Sequence, residues 1–102
     1  MTSVITPQDF HTNTWFIYIV ECSDNSYYTG VTTDIKRRLH EHNNTAKGAK
    51  YTRCRRPVAL VYQEETDSRQ NACKREYAIK KLQPAQKKTL VNSSSKEDLL
   101  KI

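Results

Sequence analysis

The chain has 102 residues, 17 Lys plus Arg against 11 Asp plus Glu, and a formal net charge of +6. That length allows one domain with one modest core, and the charge points to a polyanionic partner, nucleic acid before an acidic membrane surface. The three cysteines, Cys22, Cys54 and Cys73, are odd in number and widely spaced, which argues against a disulfide framework or zinc site and for reduced thiols in a cytoplasmic protein.

Met1 to Thr14 is polar and lacks the apolar stretch of a signal peptide. No apolar run approaches a membrane span, so no membrane partner is expected. Residues 1–13 read as a flexible arm. Trp15 to Cys22 is aromatic and β-branched, a strand signal. Ser23-Asp24-Asn25-Ser26 is turn chemistry, and Tyr27 to Thr32 returns as the second strand of a hairpin. A two-residue Asp24-Asn25 turn would pair Ser23 with Ser26 and put Tyr18 and Tyr28 on opposite faces. A three-residue loop, or a bulge, that pairs Ser23 with Tyr27 puts both on one face, and this register is expected because a shared site needs it.

Asp34 can cap a helix running to about Asn43. Ile35, Leu39 and His42 then share a face, with Arg38 and His42 four apart along its edge. Lys36, Arg37 and Glu41 point more toward water. Residues 44–57 read as a loop with five basic residues, Lys47, Lys50, Arg53, Arg55 and Arg56, and no acid. A loop of that length is functional or mobile, and its charge suits phosphate contact. Val58 to Tyr62 is a third strand, begun after Pro57. Asp67 or Thr66 caps a helix to about Leu82, with Ala72, Ile79 and Leu82 inward, Tyr77 at the border and Glu76 on the stripe. Pro84 opens a further helical turn through about Leu90. Ser94-x-x-Glu97 resembles a capping box before Leu99 and Leu100, so residues 93–102 read as a helical tail behind a domain spanning 14–92.

A glutamate on an apolar stripe costs free energy without a partner. Its partner is either an arginine, as a structural ion pair, or a hard cation such as Mg²⁺, which often takes one or two carboxylates plus water and phosphate. Taken singly, Tyr18 and Tyr28 are ordinary packing residues. Arg38 and His42 are equally ordinary helix-edge residues.

Taken together and in order, these residues resemble the GIY-YIG nuclease superfamily, over about residues 14–90. The stretches that carry the likeness are Ile17-Tyr18-Ile19-Val20-Glu21-Cys22, Tyr28-Thr29-Gly30-Val31, Lys47-Gly48-Ala49-Lys50-Tyr51-Thr52-Arg53 and Lys74-Arg75-Glu76-Tyr77. The chain is most similar to the small bacterial single-domain members, and also similar to the nuclease subunit that cuts branched DNA. The resemblance implies an α/β (α+β) fold, a three-stranded antiparallel sheet flanked by helices in the order β-β-α-β-α-α. It implies catalytic roles for Tyr18, Tyr28, Arg38, His42 and Glu76, with Glu76 holding Mg²⁺ or Mn²⁺. The implied substrate is DNA, with branched, nicked and single-stranded forms all open, and the implied setting is repair or recombination. Phe16 stands where the first motif has glycine, Thr29 where the second has isoleucine, and Val31 where some catalytic members carry lysine. No asparagine matches the one that some members place after the glutamate helix. The alternative reading is a non-catalytic nucleic-acid-binding module of the same fold.

Overall fold

A computed structural model of the chain describes residues 14–93. The expected N-terminal arm, and the tail with Ser94 and Glu97, lie outside the described residues. Strands β1 (Trp15–Glu21), β2 (Tyr27–Thr32) and β3 (Ala59–Thr66) form one antiparallel sheet in the order β2-β1-β3. The helices are α1 (Ile35–Asn44), α2 (Lys50–Arg53), α3 (Arg69–Lys80) and α4 (Pro84–Asn92). The expected order of elements stands, with the four-residue α2 added inside the basic loop.

The hairpin register corrects the expected one. Cys22 N–H donates to Ser26 O at 2.8 Å and Asn25 N–H donates to Cys22 O at 2.9 Å. The loop is therefore three residues, Ser23 to Asn25, one position earlier than expected. Asn25 closes it at φ 69°, a left-handed conformation that asparagine tolerates and three-residue hairpin loops use. Tyr18 consequently pairs with Gly30, and Val20 with Tyr28. Both tyrosines lie on one face, as a shared site requires. The residue opposite Tyr18 is a glycine.

Each sheet face has its own core. On one, Tyr18, Val20, Cys22 and Val58 pack with Ile35 of α1, and Phe16, Tyr28, Leu39 and Leu60 border them. On the other, Ile17, Ile19 and Tyr62 pack with Ala72 and Ile79 of α3, bordered by Leu90 and Val91 of α4. Ile17, Ile19, Val20, Ala72 and Ile79 are wholly buried, the expected outcome for a central strand covered by helices on both sides. A register shift between Ile19 and Val20 places Tyr62 against Ile19 and Leu60 against Val20. The extra residue, Val61, is a β-bulge. Strict alternation would put Leu60 and Tyr62 on the same side; the bulge lets each serve a different core.

The caps follow local hydrogen-bonding chemistry. Asp34 Oδ1 accepts from Arg37 N–H at 3.0 Å, as expected for an N-cap. For α3 the cap is Ser68, whose Oγ accepts from Asn71 N–H at 3.1 Å. Asp67, expected there, instead accepts from the Asn71 side-chain amide at 3.0 Å.

The basic loop is tied down at both ends. Asn43 accepts from Val58 N–H at 2.7 Å and donates to Val58 O at 3.0 Å. Gly48 passes so close to α1 that a Cβ would meet Glu41 O at 2.8 Å and His42 Cα at 2.9 Å. Those atoms are backbone and cannot turn aside. Gly48→Ala is expected to destabilise the fold by about 1–3 kcal/mol, read as a lower urea midpoint with an unchanged slope. An unaltered midpoint would show that α1 and the loop are not in contact there.

Candidate active site

Tyr18 is the centre of the site. It projects from the middle of β1 toward edge strand β2, and a Cβ on Gly30 would meet its hydroxyl at 2.5 Å and its Cζ at 2.7 Å. Only a residue without a side chain lets the phenol lie across β2 in this way. The chain has two glycines, neither with positive φ. Each is required by a close approach, one under Tyr18 and one beside His42.

The Tyr18 hydroxyl lies 2.7 Å from His42 Nε2. His42 is wholly buried on α1, and its Nδ1 lies 2.8 Å from Thr52 Oγ1 on α2. Thr52, also wholly buried, donates that hydroxyl proton to Ala49 O at 2.9 Å. Tyr28 meets the His42 ring edge-on at 5.3 Å between centroids and stacks on Tyr51 at 6.1 Å. An aromatic series thus runs from the buried phenol of Tyr18 to the partly exposed ring of Tyr51.

Arg38 is held from two sides. Its Nη1 donates to Glu41 Oε1 at 2.8 Å and to Lys47 O at 2.8 Å. Glu41 was expected to face water. Its side chain is instead largely covered and pairs with both Arg37 and Arg38. The Arg38 guanidinium lies close enough to the Tyr18 hydroxyl to favour its ionised form, which puts one cation beside the phenol.

Glu76 arrives from α3, in the opposite layer, and its carboxylate is near enough to oppose ionisation of Tyr18. It is half-buried and pairs with Lys80 Nζ at 3.2 Å, not with an arginine. Tyr18, Tyr28, His42 and Arg38 are therefore neighbours on one side of the sheet, and Glu76 is linked to them through the effect of its charge on Tyr18. Among the described residues no three His, Cys, Asp or Glu side chains gather as a metal cage. A single carboxylate fits an ion that takes its remaining oxygens from water and phosphate, as Mg²⁺ does, and fits poorly with an all-protein metal site.

The five basic loop residues divide into two groups. Arg56 donates through Nε to His42 O at 2.5 Å and through Nη2 to Thr45 O, so it caps the carbonyl end of α1. Arg55 donates to Asp24 Oδ2 at 3.1 Å and to Tyr51 O at 2.8 Å, and its guanidinium lies 3.9 Å from the Tyr51 ring centroid. Both were expected to hold phosphates, yet their donors tie the loop to α1 and to the hairpin. Lys47, Lys50 and Arg53 are exposed, and their side-chain cations have no hydrogen bond or ion pair among the described residues. Tyr77, expected at the border of the buried stripe, is 63% exposed under Lys81 Nζ. Sequence reasoning missed Glu41 and Thr52 as site residues. The one available signal for Thr52 was its place within Lys47-Gly48-Ala49-Lys50-Tyr51-Thr52-Arg53.

Burial sets the resting protonation states. It raises the Tyr18 pKa to about 12, with Tyr28 and Glu76 adding to the rise and Arg38 opposing it. Tyr18 is thus a phenol at neutral pH. Burial, with Arg38 second, lowers the His42 pKa to about 4, so the imidazole is neutral. Since that value lies below the 6.5 of an unperturbed histidine, the unfolded chain binds the extra proton first. Stability at this residue is full above 6.5 and falls as pH drops toward 4, by about 3 kcal/mol at most. Urea unfolding of the wild type is expected to weaken by about 2 kcal/mol or more between neutral pH and the lower end of that window, and His42→Gln to remove most of the change. Equal slopes in both proteins would show that His42 is protonated freely in the fold.

Among the described residues no helix is long and apolar enough to cross a membrane. The family model described as the GIY-YIG catalytic domain matches residues 14–89. The UPF0213 protein of Desulfotalea psychrophila is 61% identical over 82 residues, covering 80% of this chain and 74% of that protein. The UPF0213 protein of Halobacterium salinarum is 55% identical over 74 residues, covering 72% and 95%. The solution structure of the UPF0213 protein of Bacillus halodurans is 43% identical with a TM-score of 0.52, covering 79% of this chain and 85% of that one. A solution structure from E. faecalis is also 43% identical, with a TM-score of 0.55 over 78% and 84%. The three-stranded sheet, the two tyrosine strands on one face and the match over residues 14–89 agree, and the chain belongs to the GIY-YIG catalytic-domain family as a small member with nuclease-type function implied.

Proposed function

We propose that the protein is a divalent-metal-dependent endonuclease that hydrolyses phosphodiester bonds in DNA, in the setting of repair or recombination. The observation that supports this reading is the contact of a buried phenol with a neutral imidazole beside a fixed guanidinium, with the Glu76 carboxylate near enough to act on the phenol. Tyr18 receives the proton of the attacking water as its own hydroxyl engages His42. Burial keeps the resting Tyr18 a phenol, and the proton it receives moves on through a relay. Arg38 presents its charge to the scissile phosphate and to the negative charge that develops there. Tyr28, beside Tyr18 and His42, orients the water. Glu76 is the residue that would hold Mg²⁺ or Mn²⁺, with Lys80 released from it. When bound, the ion polarises a non-bridging phosphate oxygen and stabilises the departing 3′ oxygen.

Lys47, Lys50 and Arg53 supply backbone phosphate contacts. Replacing all three with Ala is expected to lower the slope of log affinity against log salt by about 2 to 3, with little change in fold. A slope that stays put would move the DNA path away from this loop.

Glu76→Ala is expected to cut cleavage of branched or nicked DNA by at least about a hundredfold with Mg²⁺ or Mn²⁺ present. DNA affinity should stay within about threefold, since the change removes no positive charge. Full cutting by this variant removes Glu76 from its role. Val31, standing where some catalytic members carry lysine, favours the second reading of a DNA-binding module without turnover. That reading predicts a salt-sensitive gel shift from the wild type with no cleavage products under either metal.

A further inference from the structure

Each hydrogen bond around Tyr18 and His42 has a polarity, and one end of the series is fixed. Ala49 O can only accept. Thr52 has one hydroxyl proton, and that proton points to Ala49 O at 2.9 Å. The same oxygen lies 2.8 Å from His42 Nδ1, and with its proton already committed it can serve Nδ1 only as an acceptor. Nδ1 therefore carries the ring proton. Nε2 is left with its lone pair, 2.7 Å from the Tyr18 hydroxyl. A bare Nε2 can only accept, so the single proton of the Tyr18 hydroxyl is directed at it.

One contact runs the other way. Ala49 N–H points at Nδ1 from 3.4 Å. That is beyond the ordinary N–H donor range, whereas the Thr52 contact lies inside it.

We infer that Thr52 is a positioning residue that locks His42 in its Nδ1–H tautomer, so that the relay runs from water to Tyr18 to His42 Nε2. The proton balance is complete. Water loses a proton to the Tyr18 oxygen, Tyr18 passes its own to Nε2, and the imidazole becomes imidazolium with Nδ1–H still donating to Thr52. In the opposite tautomer Nε2–H would face the phenol, and His42 could accept nothing from it. Burial that keeps the resting ring neutral keeps this acceptor available throughout the neutral range. The relay part of this inference rests on the nuclease reading; the tautomer part does not.

The test uses the full chain with ¹⁵N-labelled histidine. Long-range ¹H–¹⁵N spectra at neutral pH are expected to show His42 Nδ1 protonated and Nε2 bare, and the Nδ1 proton to give a cross-peak to Thr52 Hβ. Thr52→Val keeps the volume and loses the hydroxyl, and it is expected to shift His42 toward the Nε2–H form. The same variant should lower kcat on DNA by about tenfold or more while leaving affinity unchanged, and Thr52→Ser should restore both tautomer and rate. A wild-type ring protonated on Nε2, or no cross-peak to Thr52, overturns the inference even if the Val variant fails to fold. An Nδ1–H ring in a wild type that does not cut any DNA would sink the relay and the nuclease reading while upholding the tautomer lock.

Discussion

The hydrogen bond between the Tyr18 hydroxyl and His42 Nε2 joins the sheet to the helix above it, and the surrounding structure is arranged around that contact. Both groups are buried and polar, so each needs a partner or costs the fold dearly. Tyr18 finds His42, and His42 finds Tyr18 and Thr52. Thr52 passes the requirement to a backbone carbonyl, where it ends. A polar network in a core is tolerated when every member is satisfied, and this one closes without a gap.

Backbone geometry makes the network reachable. The bulge at Val61 sends Leu60 and Tyr62 to different cores, which lets one narrow sheet carry helices on both sides. Gly30 clears the path for the Tyr18 ring over the edge strand, and Gly48 lets the basic loop lie directly on α1. The loop then supplies Thr52 from α2, Lys47 O to hold Arg38, and Arg56 to cap α1. A segment that reads as a charged surface is therefore also the inner support of the site.

Much of this was legible in the residues. Strand patterns and the Asp34 cap follow from local chemistry, while the single-face placement of the two tyrosines follows from the demand of a shared site together with the two-residue strand period. The hairpin register was misplaced by two residues because the sequence Ser23-Asp24-Asn25-Ser26 permits more than one loop, and only Asn25 in its left-handed conformation settles which. The Val61 bulge arises where β3 pairs with β1, which no local pattern encodes, whereas Ser68, one residue past Asp67, caps α3 by the same local chemistry. The internal roles of Arg55 and Arg56 were not legible for a simple reason: five cations in an acid-free stretch look alike in sequence, while tertiary structure sorts those that bind carbonyls from those that face solvent. Glu41 and Thr52 escaped notice because their partners, Arg38 and His42, already had roles, and a partner's partner is visible only in space.

The Tyr18 phenol is withdrawn from water and held against His42, with the charge of Arg38 beside it. The most direct measurement is a ¹³Cζ-tyrosine NMR titration of the wild-type chain into alkaline solution. The Tyr18 resonance is expected to remain that of a phenol a full unit above the ordinary ~10 of a solvated tyrosine, ionising only near 12. A Tyr18 that ionises at or below that ordinary value would mean the phenol stands in solvent, and the network described above would not exist.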